Sequence, residues 1–343
     1  MEKIMLASDY QEGAHPQIMQ RLMATNLLAT PGYGTDQFCA EARDKIRAAC
    51  ACPQAAVHFL LGGTQTNATV IDALLRSYEG VIAADSGHIS VHEAGAIEFG
   101  GHKVLTLPHH LGKISADAIA AYCENNLHDG NREHMVMPGM VYISQPTEYG
   151  TLYSLAELTA ISEVCHRYHL PLYVDGARLA YALACPANDV TLPDLARLTA
   201  AFYIGGTKCG ALCGEAVVIP EPTLIPHFFT IIKQHGALLA KCRLLGIQFA
   251  ALFTDDLYLH IGENAITAAD QLRAAFAAHG CQFAFNSPTN QIFLTLTNEE
   301  KAHLDKYVES SFWEAPDANH TIVRLATSWA TPRDKIAELV QNL

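Results

Sequence analysis

Ala201-Phe202-Tyr203-Ile204-Gly205-Gly206-Thr207-Lys208-Cys209-Gly210 carries an apolar, aromatic and β-branched run into two glycines and then a lysine. A short apolar run bounded by glycines reads as a buried strand over 201–204, with the lysine in the turn that follows. No acid stands within several residues of Lys208 to pair with it. Burial disfavours an ammonium and leaves an amine able to attack an aldehyde. A loop lysine reaching into solvent uses the same residue types, so the neighbouring strands must decide.

Upstream, Leu170-Pro171-Leu172-Tyr173-Val174-Asp175-Gly176-Ala177-Arg178 ends a second apolar run in a carboxylate. An isolated buried charge is very unfavourable, so Asp175 needs a cation. Either Arg178 supplies it as an internal ion pair, or the protonated ring nitrogen of a pyridoxal phosphate (PLP) cofactor does. In the second case the ring remains an effective electron sink and Arg178 is free for a substrate carboxylate. Further upstream, Phe59-Leu60-Leu61-Gly62-Gly63-Thr64-Gln65-Thr66-Asn67 runs a strand through paired glycines into a helix. Unpaired amides and the dipole at that helix start, helped by the Thr64 hydroxyl, suit a phosphate. A tight turn capped by Thr64 or Thr66 accounts for the same residues. Each signal is weak alone. A phosphate-type turn, a strand-end aspartate and a strand-end lysine in this chain order reinforce one another.

Short β-rich runs at 56–61, 80–84, 103–107, 140–144, 172–174, 201–204 and 216–219 alternate with helical stretches. Their near-continuous apolar character suits strands covered on both faces. Residues 66–77 put Val70, Ile71, Leu74 and Leu75 on one side of a helix, and 154–166 do the same with Leu155, Leu158, Ile161 and Cys165. The alternation predicts an α/β fold with a mostly parallel sheet between helices, with ligands at the carboxyl ends of its strands. Pro220-Glu221-Pro222, with Pro226 close behind, breaks the pattern, and helical regions over 230–254 and 262–279 and a strand over 291–297 follow. The predicted division is a large cofactor-binding domain over 1–220, its residues 1–30 near the active site, and a smaller C-terminal α/β domain over 221–343.

The chain has 343 residues, half of them apolar and 17% charged, enough to bury more than one compact core. A formal charge of −13 argues against nucleic acid or anionic lipid as partner, since both repel a net anion. A small molecule is the expected partner. Met1 to Tyr10 lacks the apolar stretch of a signal peptide, and no run approaches about 20 uninterrupted apolar residues, so a cytoplasmic enzyme without a membrane span is expected. The ten cysteines are scattered through apolar or small-residue contexts, and Cys50 with Cys52 and Cys209 with Cys213 lack a second pair at zinc-site spacing. Most read as buried thiols. Among seventeen histidines, doublets such as His109-His110 point apart on any regular element. No metal is expected.

With these motifs in place, the chain resembles the threonine aldolase and β-eliminating lyase family of fold-type-I, aspartate aminotransferase-like PLP enzymes over nearly its full length. The matching pieces are Ser8-Asp9, Gly32-Tyr33-Gly34-Thr35-Asp36, Gly63-Thr64-Gln65, His88 with Glu93-Ala94-Gly95, Asp175-Gly176-Ala177-Arg178, Thr207-Lys208 and Val323-Arg324-Leu325. The resemblance implies that Lys208 carries PLP as a Schiff base, Asp175 holds the pyridine nitrogen and His88 stacks on the ring. Gly63, Thr64, Gln65 and Thr207 would bind the cofactor around its phosphate, with Arg178 beside them. Ser8, Arg178 and Arg324 match the positions that grip the substrate carboxylate, where an arginine fork suits two oxygens at once. His92 matches no family histidine and reads as packing. Two departures stand out: Gln145-Pro146-Thr147 replaces the commoner Glu-Asn-Thr, removing an acid near the substrate, and Thr207 stands where serine is frequent.

The activity so implied is cleavage of L-threonine, L-allo-threonine or another β-hydroxy-α-amino acid to glycine and an aldehyde. Arg178 and Arg324 would fix the carboxylate so that the Cα–Cβ bond stands perpendicular to the ring, and His88 would take the β-hydroxyl proton directly or through a water, unless it only stacks. β-Elimination, transamination or racemisation on the same scaffold uses the same cofactor residues. A non-catalytic ligand-binding α/β protein has no use for Asp175, Lys208 and Arg324 together. A homodimer or homotetramer is also implied.

Overall fold

A computed structural model describes residues 3–340. Its strands are β1 (Ile4–Met5), β2 (Ala56–Leu60), β3 (Glu79–Ala84), β4 (Lys103–Leu107), β5 (Met137–Ser144), β6 (Leu172–Asp175), β7 (Ala201–Gly205), β8 (Glu215–Ile219), β9 (Gln282–Phe283), β10 (Gln291–Thr297), β11 (Val308–Glu309), β12 (Ser311–Glu314) and β13 (His320–Ala326). The α-helices are α1 (Pro16–Thr25), α2 (Gln37–Ala49), α3 (Gly63–Leu74), α4 (His88–Val91), α5 (Ala96–Phe99), α6 (Ala116–His128), α7 (Leu155–Arg167), α8 (Leu179–Leu183), α9 (Leu192–Leu198), α10 (Phe228–Gln234), α11 (Arg243–Leu252), α12 (Leu257–Ala278), α13 (Asn298–Leu304) and α14 (Arg333–Val340).

The seven apolar runs of the sequence form one sheet in the order β2-β8-β7-β6-β5-β3-β4. Its β4, β3, β5, β6 and β7 pair in parallel, whereas β8 is antiparallel to both β7 and β2. The sheet is therefore mostly parallel, in an α/β fold. Side chains of β6, β7 and β8 are buried without exception, because a separate core covers each face. Val141, Val174 and Phe202 point into one core, and their neighbours Tyr142, Tyr173 and Tyr203 into the other. The parallel strands end together, so Ser144, Asp175 and the turn after Gly205 share one edge.

A second, antiparallel sheet, β12-β13-β10-β9, packs through Ile292, Leu294, Val323 and Leu325 against Leu272 and Phe276 of α12. The chain's start joins this body, since β1 pairs in parallel with β11 and Ile4 and Leu6 lie in its core. Past the proline stretch, α10 and α11 pack onto the large sheet, and α12 runs from one core of that sheet into the core of the second body. Residues 1–2 and 341–343, the outer ends of the two expected domains, lie outside the described residues.

Three expected helices differ, the one expected over 262–279 by starting five residues early, at Leu257. The run expected over 230–254 is two helices, α10 and α11, because Gly236 turns left-handed (φ 64°) and the Ala237 amide closes on the Ile232 carbonyl at 3.0 Å, ending α10. The helix expected from residue 66 begins at Gly63, so the Gly-Thr-Gln motif forms its first turn. No helix of the described residues is long and apolar enough to cross a membrane.

Candidate active site

At the carboxyl edge of β5, β6 and β7 lies a cavity of about 280 Å³. Gly63, Thr64, His88, Asp175, Arg178, Thr207 and Lys208 all line it. Gln65, Ser8 and Arg324 are not on its wall, although Arg324 is close enough to Arg178 and Asp9 to feel both charges. Tyr10, Asn67, Ser144, Glu148, Tyr203 and Glu215 also line it and were not singled out by sequence.

Asp175 is the last residue of β6 and is 4% exposed. Tyr203 Oη donates to its Oδ1 at 2.5 Å, as does the Ala177 amide at 3.0 Å. Tyr142 Oη and Asn67 Nδ2 donate to Oδ2 at 2.7 and 3.0 Å. Burial pushes this carboxyl up, but the nearby His88 and the donors Tyr203, Asn67 and Tyr142 outweigh it and hold it below the usual range. The group is thus an anion satisfied by neutral donors, with no basic side chain at ion-pair distance among the described residues.

Arg178 is not the partner of Asp175, nor is it unengaged. Its Nε and Nη2 donate to the two carboxylate oxygens of Asp9 at 2.6 and 3.0 Å, a buried two-pronged pair. Asn290 Nδ2 also donates to Asp9, at 2.9 Å. Although burial opposes ionisation, Arg178, Lys208 and these hydrogen bonds bring the Asp9 carboxyl down to about 2. The sequence reading missed this because Asp9 and Arg178 are 169 residues apart and only the tertiary fold brings them together. Nearby, Ser8 Oγ and Arg324 Nε are buried without a hydrogen-bond partner. The remaining Arg324 nitrogens donate to Gln291 Oε1 at 3.3 Å and the Ala7 carbonyl at 3.2 Å.

Lys208 follows β7, with Tyr181 Oη donating to its carbonyl and its own Nζ lying 5.9 Å from the Tyr10 ring centre. Burial and then Arg178 lower its pKa, against the pull of Asp9, Asp175 and Glu215. Across the cavity, α3 starts at Gly62 with no side-chain cap, and Thr66 Oγ1 is buried without a partner. The capping alternative for Thr64 and Thr66 therefore does not hold, and the first-turn amides are left without a side-chain acceptor.

His88 opens α4, with its Nδ1 2.7 Å from Glu93 Oε1 and its ring centre 5.7 Å from that of His92. Asn67 Nδ2 bonds the same Glu93 oxygen at 2.7 Å. The backbone amide of His88 and Ser144 Oγ both donate to Glu148 Oε1, each at 2.9 Å. Glu148, one residue beyond the 145–147 loop, is a carboxyl on the cavity wall that the sequence reading did not name. Burial raises its pKa. A signal for the missed tyrosines does exist in the sequence. Tyr142, Tyr173 and Tyr203 each precede a strand end by two residues, which puts them on the face of Asp175.

Residues 6–299 match the model of the family described as beta-eliminating lyase. The low specificity L-threonine aldolase of Pseudomonas aeruginosa is 29% identical, over 98% of this chain and 96% of that protein. A solved structure of Leishmania major threonine aldolase is 43% identical, covers 98% of each chain and superposes with a TM-score of 0.95. Thermus thermophilus aspartate aminotransferase, at 15% identity and a TM-score of 0.71 over 99% of this chain and 90% of that one, shares the fold. A strand-end lysine, a strand-end aspartate and an uncapped helix start meet in one cavity, in a chain matched from end to end by these proteins: it belongs to the beta-eliminating lyase family.

Proposed function

We propose that this chain is a PLP-dependent aldolase that cleaves L-threonine, L-allo-threonine or a related β-hydroxy-α-amino acid to glycine and an aldehyde. The observation that carries the reading is Asp175, a buried anion without a cation partner, facing the same cavity as the desolvated Lys208. The 43% identity to Leishmania major threonine aldolase narrows the reaction. The residues fit PLP: Asp175 suits its cationic ring nitrogen, the uncapped start of α3 with Thr64 and Thr207 suits its phosphate, and the Lys208 amine suits its aldehyde.

When bound, PLP supplies a conjugated ring that accepts the electron pair of the bond being broken. Asp175, held ionised by its surroundings, would favour the protonated form of the ring nitrogen. Arg178, fixed by Asp9, presents a positioned cation to a substrate carboxylate, and the unsatisfied Ser8 Oγ and Arg324 Nε supply further donors of the right kind. His88 uses Nδ1 on Glu93, which leaves Nε2 as the ring nitrogen able to take the β-hydroxyl proton.

Purified protein with PLP should absorb in the visible region, lose that band in Lys208→Ala, and form glycine and acetaldehyde from L-threonine. A band with pyruvate and ammonia as products would replace the aldolase with an eliminating lyase. No band after PLP addition would overturn the cofactor reading. Full cleavage by His88→Phe with normal PLP binding would remove His88 as the base. The exposed apolar side chains Met23, Leu27 and Leu28, at 75%, 95% and 52%, support a homodimer or homotetramer, which light scattering tests. Ten free cysteines support a reducing, cytoplasmic setting.

A further inference from the structure

Glu215 opens β8 and forms part of the cavity wall, 3% exposed. It pairs with Gly205 of β7 on one side and Leu60 of β2 on the other. Those two neighbours lead directly into Lys208 and into the first turn of α3, so the carboxyl stands between the lysine and the proposed phosphate corner. Its Oε2 accepts the Gly206 amide at 3.0 Å. No basic nitrogen lies at ion-pair distance from it among the described residues.

The titratable groups around it are Tyr173 and Asp175 on β6, Tyr203 on β7, Lys208, Cys209 and Cys213 on the β7–β8 connection, and Tyr258 of α12. Lys208 is the one base in this set, and Asp9 and Asp175 compete for its charge. A buried carboxyl so placed favours its neutral form. Neutral, it carries a hydrogen to donate. Thr207, beside it, accepts the Gly214 amide at 3.0 Å and hydrogen-bonds the Glu215 carboxyl through its hydroxyl. A phosphate held by Gly63, Thr64 and Thr207 would bring up to two negative charges to the same corner, which an ionised Glu215 would repel.

We propose that Glu215 is a neutral carboxylic acid in the cofactor-loaded protein, donating its hydrogen into the phosphate corner, and that its ionisation weakens cofactor retention. This rests on the PLP reading above. Burial, with Asp175 adding to it and Thr207, Gly206 and Lys208 opposing, pushes the carboxyl up to about 8. Retention is then full below that pH and weakens as the pH rises through it.

The dissociation constant of PLP should be measured from mildly acidic to alkaline pH for the unsubstituted protein and for Glu215→Gln, which keeps the shape and a donor but cannot ionise. The unsubstituted protein should lose affinity about tenfold per pH unit more steeply than the variant above the ionisation. Equal slopes, or a variant already much weaker at neutral pH, would overturn the proposal. Infrared spectroscopy of the loaded, unsubstituted protein gives a second answer that does not depend on the variant folding. A protonated-carboxyl band should be present near neutral pH and vanish on alkalinisation, and its absence at neutral pH refutes the idea. A protein that takes up no PLP at all removes the cofactor reading and this inference together, whereas the other negative results leave that reading intact.

Discussion

Asp9 and Arg178 form an ion pair with almost no access to water, so neither can lose its partner without leaving a buried charge behind. Asp9→Asn should therefore lower stability by about 3–5 kcal/mol, read as a shift in the urea midpoint, and should raise the Michaelis constant for the amino acid as Arg178 loses its orientation. A loss below about 1 kcal/mol would place the pair among exposed, weakly coupled ones. The pair also sets an acid limit. The Asp9 carboxyl titrates near 2 in the folded chain against an ordinary 3.8, so the stability it contributes is present above about pH 4 and is lost as the pH falls toward 2. The Asn variant should lack that part of the acid transition.

The strand ends work as elements because their turns approach each other closely. A Cβ on Gly176 would lie 2.0 Å from the Tyr203 carbonyl oxygen, and one on Gly205 would lie 2.4 Å from that of Ala177. The β6 and β7 turns are thus in backbone contact, with the Gly205 amide donating to the Gly176 carbonyl at 3.0 Å. Gly176→Ala cannot be absorbed by moving a side chain. It should push β6 away from β7, break the 2.5 Å bond from Tyr203 to Asp175, and lower both the melting temperature and PLP affinity, measured by calorimetry and by cofactor titration. Unchanged affinity would mean that Asp175 does not depend on this contact. Elements with strong local signals were legible in the sequence. Ser154 and Glu157 form a capping box on α7 in the structure, and the sequence already starts a helix there. The split between α10 and α11 was not, because an apolar stretch does not reveal that one glycine will turn left-handed.

For the whole molecule, stability and site occupancy share the same buried acids. Without cofactor, Glu215 titrates near 8 when folded but near 4.5 when exposed, so the folded chain holds the extra proton between those values. Stability should fall as the pH rises from about 4.5 to 8 and level off above that range. Glu215→Gln removes this term, so its urea midpoint should gain on that of the parent across the window and keep a constant lead beyond it. Parallel curves would show that Glu215 ionises normally.

The sequence by itself determined the α/β alternation, the seven strands of the large sheet to within three residues at their ends, and the chain order of glycine turn, aspartate and lysine. These depend on local pattern: apolar runs closed by glycines, and chemistry at strand ends. Only the tertiary structure decided that Arg178 answers Asp9, that Glu148 accepts from His88 and Ser144 at the cavity, that Tyr142, Tyr203 and Asn67 donate to Asp175, and that Glu215 stands behind Lys208. Each of these pairings joins residues from separate elements, and no periodicity along a chain records which strand ends will share an edge. The start of the chain carries the same lesson, since Ile4 and Leu6 enter a core built mostly from residues after 268, and the segment that follows brings Asp9 to Arg178.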